Sequence, residues 1–193
     1  MSTAQPALRR WTRDEFYRMA KTGLFNGQRV ELVEGEILVM SPFGPGHVAA
    51  VHLAAGALES AFGPGYWVRL QSPLHLGPRS EPEPDVCVVA GGPRDFPDHP
   101  TTASLVVEVS DSTLQFDQSR KRAIYAAAGI PEYWIINLVD GVLEVYRGPA
   151  PHRRPAGGPQ AADYQDQRTL SAGDTISPLA MPGASIAVAD LLP

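Results

Sequence analysis

A glutamate stands inside an apolar run that has the composition of a buried strand, Leu105-Val-Val-Glu108-Val109. Burying an unpaired carboxylate costs several kcal/mol, so we expect a cation, a metal ion or a cage of hydrogen bonds beside Glu108. A second carboxylate, Asp85, opens the apolar run Val86-Cys-Val-Val89 directly after Pro84. If the two runs are neighbouring strands, Asp85 and Glu108 meet at one edge of the sheet. Two carboxylates, a carbonyl group and waters form the all-oxygen ligand set that Mg²⁺ or Mn²⁺ prefers.

A purely structural interpretation of these two carboxylates also stays open. Asp85 can cap the entrance of its strand, and Glu108 can pair with an arginine, since structural ion-pair networks also accommodate buried acids. The two interpretations differ in what lies beside Glu108, a metal ion in one and a guanidinium in the other.

A lysine follows in the next predicted helix. Asp117, Lys121 and Tyr125 are spaced i, i+4 and therefore share one helix face, where an exposed Asp–Lys pair is the alternative to a functional role. Only two of the 16 cationic side chains are lysines, Lys21 and Lys121. A chain that otherwise uses arginine can require an ammonium at this position, because a compact ammonium can position or help to deprotonate a water.

Three further polar groups are weaker candidates. Glu31 and Glu36 flank the turn of a predicted hairpin, where most glutamates are solvated. His47 follows a Pro/Gly loop at a predicted helix start, where it can contact an anion, cap the helix or pack in the core. Ser110 stands two residues after Glu108 and is close enough to support it, although turn formation is its default role.

Composition excludes several classes of protein. The 193 residues carry a formal net charge of −5 and one cysteine, which excludes a disulfide framework and a cysteine-rich zinc module. The acidic balance argues against a generally basic nucleic-acid coat but not against a local basic groove. Neither a membrane-spanning apolar run nor a signal peptide is recognisable, so we predict a cytoplasmic protein without a membrane partner. Nucleotide-phosphate motifs of the G-x-G-x-x-G or Walker A type are missing from the sequence.

The order of apolar patterns predicts a mixed α+β domain with a central sheet flanked by helices. We place it over 11–193, with a flexible N-terminus over 1–10, a mobile loop over 148–163 and edge strands over 164–193. Thr12 and Glu15 form a capping box for the first helix, and Phe116, Ala123, Ile124 and Ala127 suggest the apolar face of a later one. The predicted elements are a helix over 12–21, a hairpin over 29–40, a helix over 48–62, strands over 66–70, 74–76, 86–89 and 105–109, a helix over 116–128 and a hairpin over 132–147.

Taken together, these motifs resemble one family. The segments that carry the resemblance are Arg29-Val-Glu-Leu-Val-Glu-Gly-Glu-Ile37, Met40-Ser-Pro42 with His47, Glu83-Pro-Asp85-Val, Leu105-Val-Val-Glu-Val-Ser110, Asp117 with Lys121 and Tyr125, and Gly129-Ile-Pro-Glu-Tyr-Trp134. The chain resembles, from about Trp11 to Arg147, the bacterial family called putative restriction endonucleases, within the PD-(D/E)xK nuclease superfamily.

The resemblance implies a restriction-endonuclease-like fold with a metal site at a strand end. Pro84-Asp85 matches the PD element and Glu108 the (D/E) position, but Ser110 stands where the superfamily lysine is expected. Lys121 matches the lysine that this family takes from the following helix. Glu31 resembles the early acidic residue of the metal site, with Glu36 as its rival.

The implied activity is Mg²⁺- or Mn²⁺-dependent hydrolysis of DNA, with a homodimer as one way to assemble a continuous groove. Asp85, Glu108 and the Val109 carbonyl would hold the metal, and Lys121 and Glu31 would complete the catalytic set. Supporting or phosphate-contacting roles would fall to Ser110, Asp117, Tyr125, His47, Arg79, Arg120 and Arg122. The alternative is a catalytically silent module that keeps the fold and binds nucleic acid or protein.

Overall fold

The computed structural model describes residues 7–152 and 161–193. Helix α1 (Arg13–Lys21) begins at the predicted capping box: the Glu15 N–H donates to the Thr12 hydroxyl, and the Thr12 N–H donates to the Glu15 carboxylate. Strands β1 (Val30–Val33) and β2 (Glu36–Val39) form the predicted hairpin. Gly35 closes its turn at φ +79°, and a Cβ there would lie 2.7 Å from Arg10 Cβ, so only glycine fits.

Six strands form the central mixed sheet, as predicted. They are β3 (Tyr66–Leu70), β4 (Val86–Ala90), β5 (Leu105–Ser110), β6 (Glu132–Asn137), β7 (Val142–His152) and β8 (Ala161–Leu170), and they lie side by side in chain order. All neighbours are antiparallel except β5 and β6, whose parallel pairing requires a crossover. The crossover is a helix over 114–127.

Each face of the sheet is covered by its own apolar core. Helix α2 (Pro45–Phe62) packs on one face with C-terminal residues that include Ile176, Ile186 and Leu191. The crossover helix covers the other face with Tyr125 and Ala126. Because both faces of the sheet are covered, β4 and β5 are buried on both sides, which explains why they are continuous apolar runs. No helix in the described ranges, 7–152 and 161–193, is long and apolar enough to cross a membrane.

The crossover helix contains an irregular turn. It consists of α3 (Leu114–Phe116), a π-helical turn (Asp117–Lys121) and α4 (Arg122–Ala127), which follow one another without a break. The apolar face predicted for this helix is wrong in large part. Phe116 and Ala123 are only partly buried and Ala127 is exposed, although Ile124 is buried. The polar face turns inward instead, because the π turn directs Asp117, Lys121 and Tyr125 towards the sheet.

Two other predictions are corrected. Residues 74–76 do not form a strand; the Leu74 N–H donates to the Pro82 carbonyl and the Leu76 N–H to the Ser80 carbonyl, which is a local connection. Strand β7 runs on to His152 and β8 begins at Ala161, so both ends of the loop predicted over 148–163 are strand residues instead. The remaining residues, 153–160, and residues 1–6 of the predicted flexible terminus lie outside the described residues.

The C-terminal segment contains a second small sheet, β9 (Thr175–Ile176) with β10 (Ile186–Ala187), and a 3₁₀ turn (Val188–Leu191). The fully buried carboxylate of Glu132 holds this segment to the main sheet. It accepts hydrogen bonds from the Leu179 N–H, Trp134 Nε1 and the Arg147 guanidinium. The tail is therefore part of the fold.

Candidate active site

A buried lysine lies between two buried glutamates at the centre of the site. Lys121 Nζ is 2.6 Å from Glu31 Oε2 and 3.1 Å from Glu108 Oε1, and the three residues are only 2–4% exposed. The Tyr125 hydroxyl donates a 2.6 Å hydrogen bond to the same Glu108 oxygen. The structure thus brings Glu31, Glu108, Lys121 and Tyr125 together.

Three elements converge to build this cluster. Glu108 lies on the face of β5 that carries Val106 and faces the crossover helix. The π turn of that helix adds a residue to one turn and places Lys121 over Glu108, as such turns often do at functional sites. The hairpin contributes Glu31 and is held in place by a bridge between Leu32 and Glu81.

Asp85 joins the cluster through the backbone. Its Oδ2 accepts the Val109 N–H at 2.9 Å, and its own N–H donates to Glu108 Oε2 at 3.3 Å. Ring atom Nε2 of His47 lies 3.1 Å from Asp85 Oδ2, and the Gln71 amide donates to Oδ1 at 3.4 Å. The carboxylates of Asp85 and Glu108 are therefore fixed relative to each other.

A proline explains why the two strands separate at this point. Pairing of β4 with β5 ends at Val86 opposite Val107, and continued register would place Pro84 opposite Val109. Proline has no N–H to donate to the Val109 carbonyl, so the ladder ends here, and the Val109 N–H donates to the Asp85 carboxylate. Because the N–H and C=O of a strand residue point to the same edge, the Val109 carbonyl also faces this opening.

Burial dominates the electrostatics of the cluster. Desolvation raises the pKa of Glu108 to about 8; the nearby Lys121 ammonium opposes this shift, and the Asp85 carboxylate adds to it. Burial alone would lower the pKa of Lys121, but the Glu108 and Glu31 carboxylates outweigh it and hold that pKa above its ordinary value. Burial also raises the pKa of Asp117, whose carboxylate accepts hydrogen bonds from the Ser110 and Thr113 hydroxyls.

The cluster borders a cavity of about 50 Å³, which is room for a few waters or a small hydrated ion. Its lining is predominantly acidic. Six carboxylates line it, Glu31, Glu83, Asp85, Glu108, Asp111 and Asp117, against the two permanent cations Arg29 and Lys121. An excess of acidic groups of this kind around a small cavity favours a divalent cation.

The donor chemistry fits a hard divalent cation. Asp85 and Glu108 supply carboxylate oxygens and Val109 a carbonyl, which suit Mg²⁺ or Mn²⁺. Glu31 Oε2 is buried without a directed hydrogen bond, so a charged oxygen beside the cluster lacks a full set of partners. Over residues 7–152 and 161–193, however, no three His, Cys, Asp or Glu side chains are already grouped as metal ligands. Binding would therefore require Glu108 to exchange contacts with Lys121.

Several predicted residues lie elsewhere. Glu36 pairs with Arg10 and with Arg120, at 2.7 Å from the latter, so it is Glu31 that reaches the cluster. Arg122 pairs with Asp163 on β8. Arg79 is exposed. The cavity lining does not include Arg79, Arg120 or Arg122, the three arginines predicted to contact phosphate.

The sequence did not identify Arg29 and Phe43, which line the cavity, or Gln71, which donates a hydrogen bond to Asp85. Arg29 stands two residues before Glu31, so strand alternation alone could have placed both on one face. The signal for Phe43 and Gln71 is absent from the sequence, because each reaches the site from a loop or strand end.

The sheet, its crossover helix and the buried acidic site define a nuclease-like fold of the restriction-endonuclease type. The family model Uma2, described as a putative restriction endonuclease, matches residues 13–189, and the chain belongs to this family. The match extends through the C-terminal tail, beyond the segment that carried the sequence resemblance.

A crystal structure described as a putative nuclease belonging to DUF820, from Anabaena variabilis ATCC 29413, has the same fold. The TM-score is 0.67 at 16% identity, with 93% of this chain and 96% of that chain covered. A comparison with functionally curated proteins gave no match.

Proposed function

We propose that this protein is a metal-dependent endonuclease that hydrolyses phosphodiester bonds in DNA. The observation that carries the proposal is the buried contact of Lys121 with Glu31 and Glu108, at 2.6 and 3.1 Å, beside Asp85. Burying a lysine together with acidic residues at the point where two strands separate contributes little to stability, so stability alone does not explain the arrangement. Membership of the Uma2 family, described as putative restriction endonucleases, supports the same chemistry.

Each residue has a distinct role in this mechanism. Asp85, Glu108 and the Val109 carbonyl would hold Mg²⁺ or Mn²⁺. When bound, the ion would lower the pKa of a water and offset charge on the phosphate. The Lys121 ammonium would orient the attacking water, and Glu31 would keep that ammonium in place.

Two neighbours would position the metal ligands. His47 contacts Asp85, and the Tyr125 hydroxyl donates to Glu108. Both hydrogen bonds restrict the rotation of a carboxylate, as outer partners of metal ligands commonly do.

DNA is the proposed substrate and a homodimer the proposed assembly. With a net charge of −5, the chain would bind DNA weakly outside the site, and binding should fall steeply with salt. A second copy would extend the contact surface, and light scattering of the purified protein measures whether it is present.

The test is cleavage of supercoiled plasmid with Mg²⁺ or Mn²⁺, with a chelator as the metal-free arm. Asp85→Asn and Glu108→Gln should abolish cleavage, because both remove a charged oxygen from the proposed ligand set. Glu36→Gln is the matched control, since Glu36 lies in the same hairpin as Glu31 but outside the cavity. Equal nicking by the wild type and both site variants would identify a contaminant and refute the assignment.

The alternative is a module that binds nucleic acid or protein without turnover. The observation in its favour is that Lys121, Tyr125 and the Asp85 N–H already engage both oxygens of Glu108. Such a module would bind DNA without cutting it, and Mn²⁺ would not raise its melting temperature. Metal-dependent cleavage that requires Asp85 excludes it.

A further inference from the structure

The acidic lining of the cavity raises the question of how a DNA phosphate approaches it. Six carboxylates line it, against two side-chain cations that are always charged. Lys121 is already committed to Glu31 and Glu108. Arg29 is the only arginine among the described residues that line the cavity.

Arg29 is held in place by an aromatic stack. Its guanidinium carbon lies 4.2 Å from the centre of the Phe43 ring, a cation–π distance. The Phe43 ring in turn stacks on His47, with ring centres 4.1 Å apart and an angle of 10° between planes. Because His47 contacts Asp85, the stack fixes Arg29 relative to a proposed metal ligand.

One arm of this guanidinium has no acceptor. Atom NH1 is buried and makes no hydrogen bond, whereas NH2 lies 3.8 Å from Glu83, too far for a strong ion pair. A buried donor without an acceptor is costly. NH1 itself is not exposed, but the Arg29 side chain as a whole is 36% exposed and lines the cavity, so an incoming group reaches the guanidinium from the cavity side.

We infer that Arg29 binds a non-bridging oxygen of the scissile phosphate and stabilises the charge that develops there during hydrolysis. A planar guanidinium with a free, oriented N–H matches a phosphate oxygen, and the donor costs little further ordering because the stack already holds it. This inference rests on the proposed nuclease function. It assigns the phosphate contact to Arg29 instead of Arg79, Arg120 and Arg122.

The test compares Arg29→Ala and Arg29→Lys with Arg79→Ala, a matched control because Arg79 is exposed and outside the cavity. We expect Arg29→Ala to lower kcat/KM for plasmid cleavage about 100-fold or more, mainly in kcat, as for loss of one transition-state donor. Arg29→Lys should recover only part of this, and Arg79→Ala should change it less than a few-fold.

Two further readouts separate phosphate binding from a structural role. Millimolar guanidinium should raise cleavage by Arg29→Ala and leave the nearly normal cleavage by Arg79→Ala unchanged, and the salt slope of DNA binding should fall by about one in Arg29→Ala. Melting temperatures show whether the variants fold. If Arg29→Ala does not fold, the cleavage rate of Arg29→Lys tests the inference in its place. Wild-type cleavage with unimpaired Arg29 variants overturns this inference and leaves the nuclease assignment standing. A wild type that cuts nothing overturns both.

Discussion

Lys121→Met removes the ammonium from the centre of the site while keeping most of its apolar stem. The substitution leaves the carboxylates of Glu31 and Glu108 buried without the cation that contacts both. Breaking a buried ion pair from one side costs about 3–5 kcal/mol. For a chain of this length we expect the melting temperature to fall by roughly 6–20 °C near neutral pH.

The loss should depend on pH, and its sign follows from the carboxylates. Burial already raises the pKa of Glu108 to about 8, from an ordinary value of 4.5, and loss of Lys121 removes the attraction that opposes this. An acid with a raised folded-state pKa contributes its stability below the unfolded pKa and loses it as pH rises through the folded value. Loss of Lys121 moves the folded-state pKa of Glu108 above about 8, so the Glu108 part of the Lys121→Met deficit should be small near pH 5 and larger near pH 9.

Urea unfolding followed by circular dichroism at both pH values measures this deficit. Lys21→Met is the matched control, since Lys21 is the other lysine and is exposed at the end of α1. Adding Glu31→Gln to Lys121→Met should restore part of the loss, because one of the two stranded charges disappears. If Lys121→Met were as stable as Lys21→Met at both pH values, the buried ion pair would be refuted.

Two other outcomes test the geometry of the site. Deleting Ser119, an exposed residue in the π turn, should restore a regular helix and rotate the residues on one side of the deletion by about 100°. Lys121 would then leave the cavity and plasmid cleavage should be lost, whereas the control Ser119→Ala should keep cleavage. Cleavage by the deletion variant would contradict this geometry. Cys87 is 1% exposed, and burial raises the pKa of its thiol to about 11, so a disulfide reagent should label it only in urea. Labelling of the native protein at the rate of a free thiol would show that β4 is exposed to solvent.

Much of the fold follows from local sequence signals. The capping box at Thr12 defines the start of α1, and the apolar runs around Glu108 and after Asp85 define two central strands. Both carboxylates were recognisable because a charge inside an apolar run needs a partner. In each case the signal lies within a few residues of the feature that it predicts.

The remaining features depend on tertiary contacts. The π turn cannot be predicted from helical spacing, because it changes that spacing and turns Lys121 inward. Leu74 is buried like a strand residue, yet its N–H bonds to the carbonyl of Pro82 within a local connection. Both strands of the β1–β2 hairpin lie between Arg29 and Phe43 in the sequence, and only folding brings the guanidinium over the ring.

The attachment of the C-terminal segment has a consequence for biosynthesis. A chain is made from its N-terminus, so helix α2 is complete long before Ile176, Ile186 and Leu191, which cover the same core, have been synthesised. The Glu132 carboxylate likewise cannot complete its hydrogen bonds until Leu179, which donates its N–H, has been synthesised. Contacts over such long sequence separations form slowly, so the core beneath the sheet that carries the candidate site is complete only after the C-terminal segment has been synthesised.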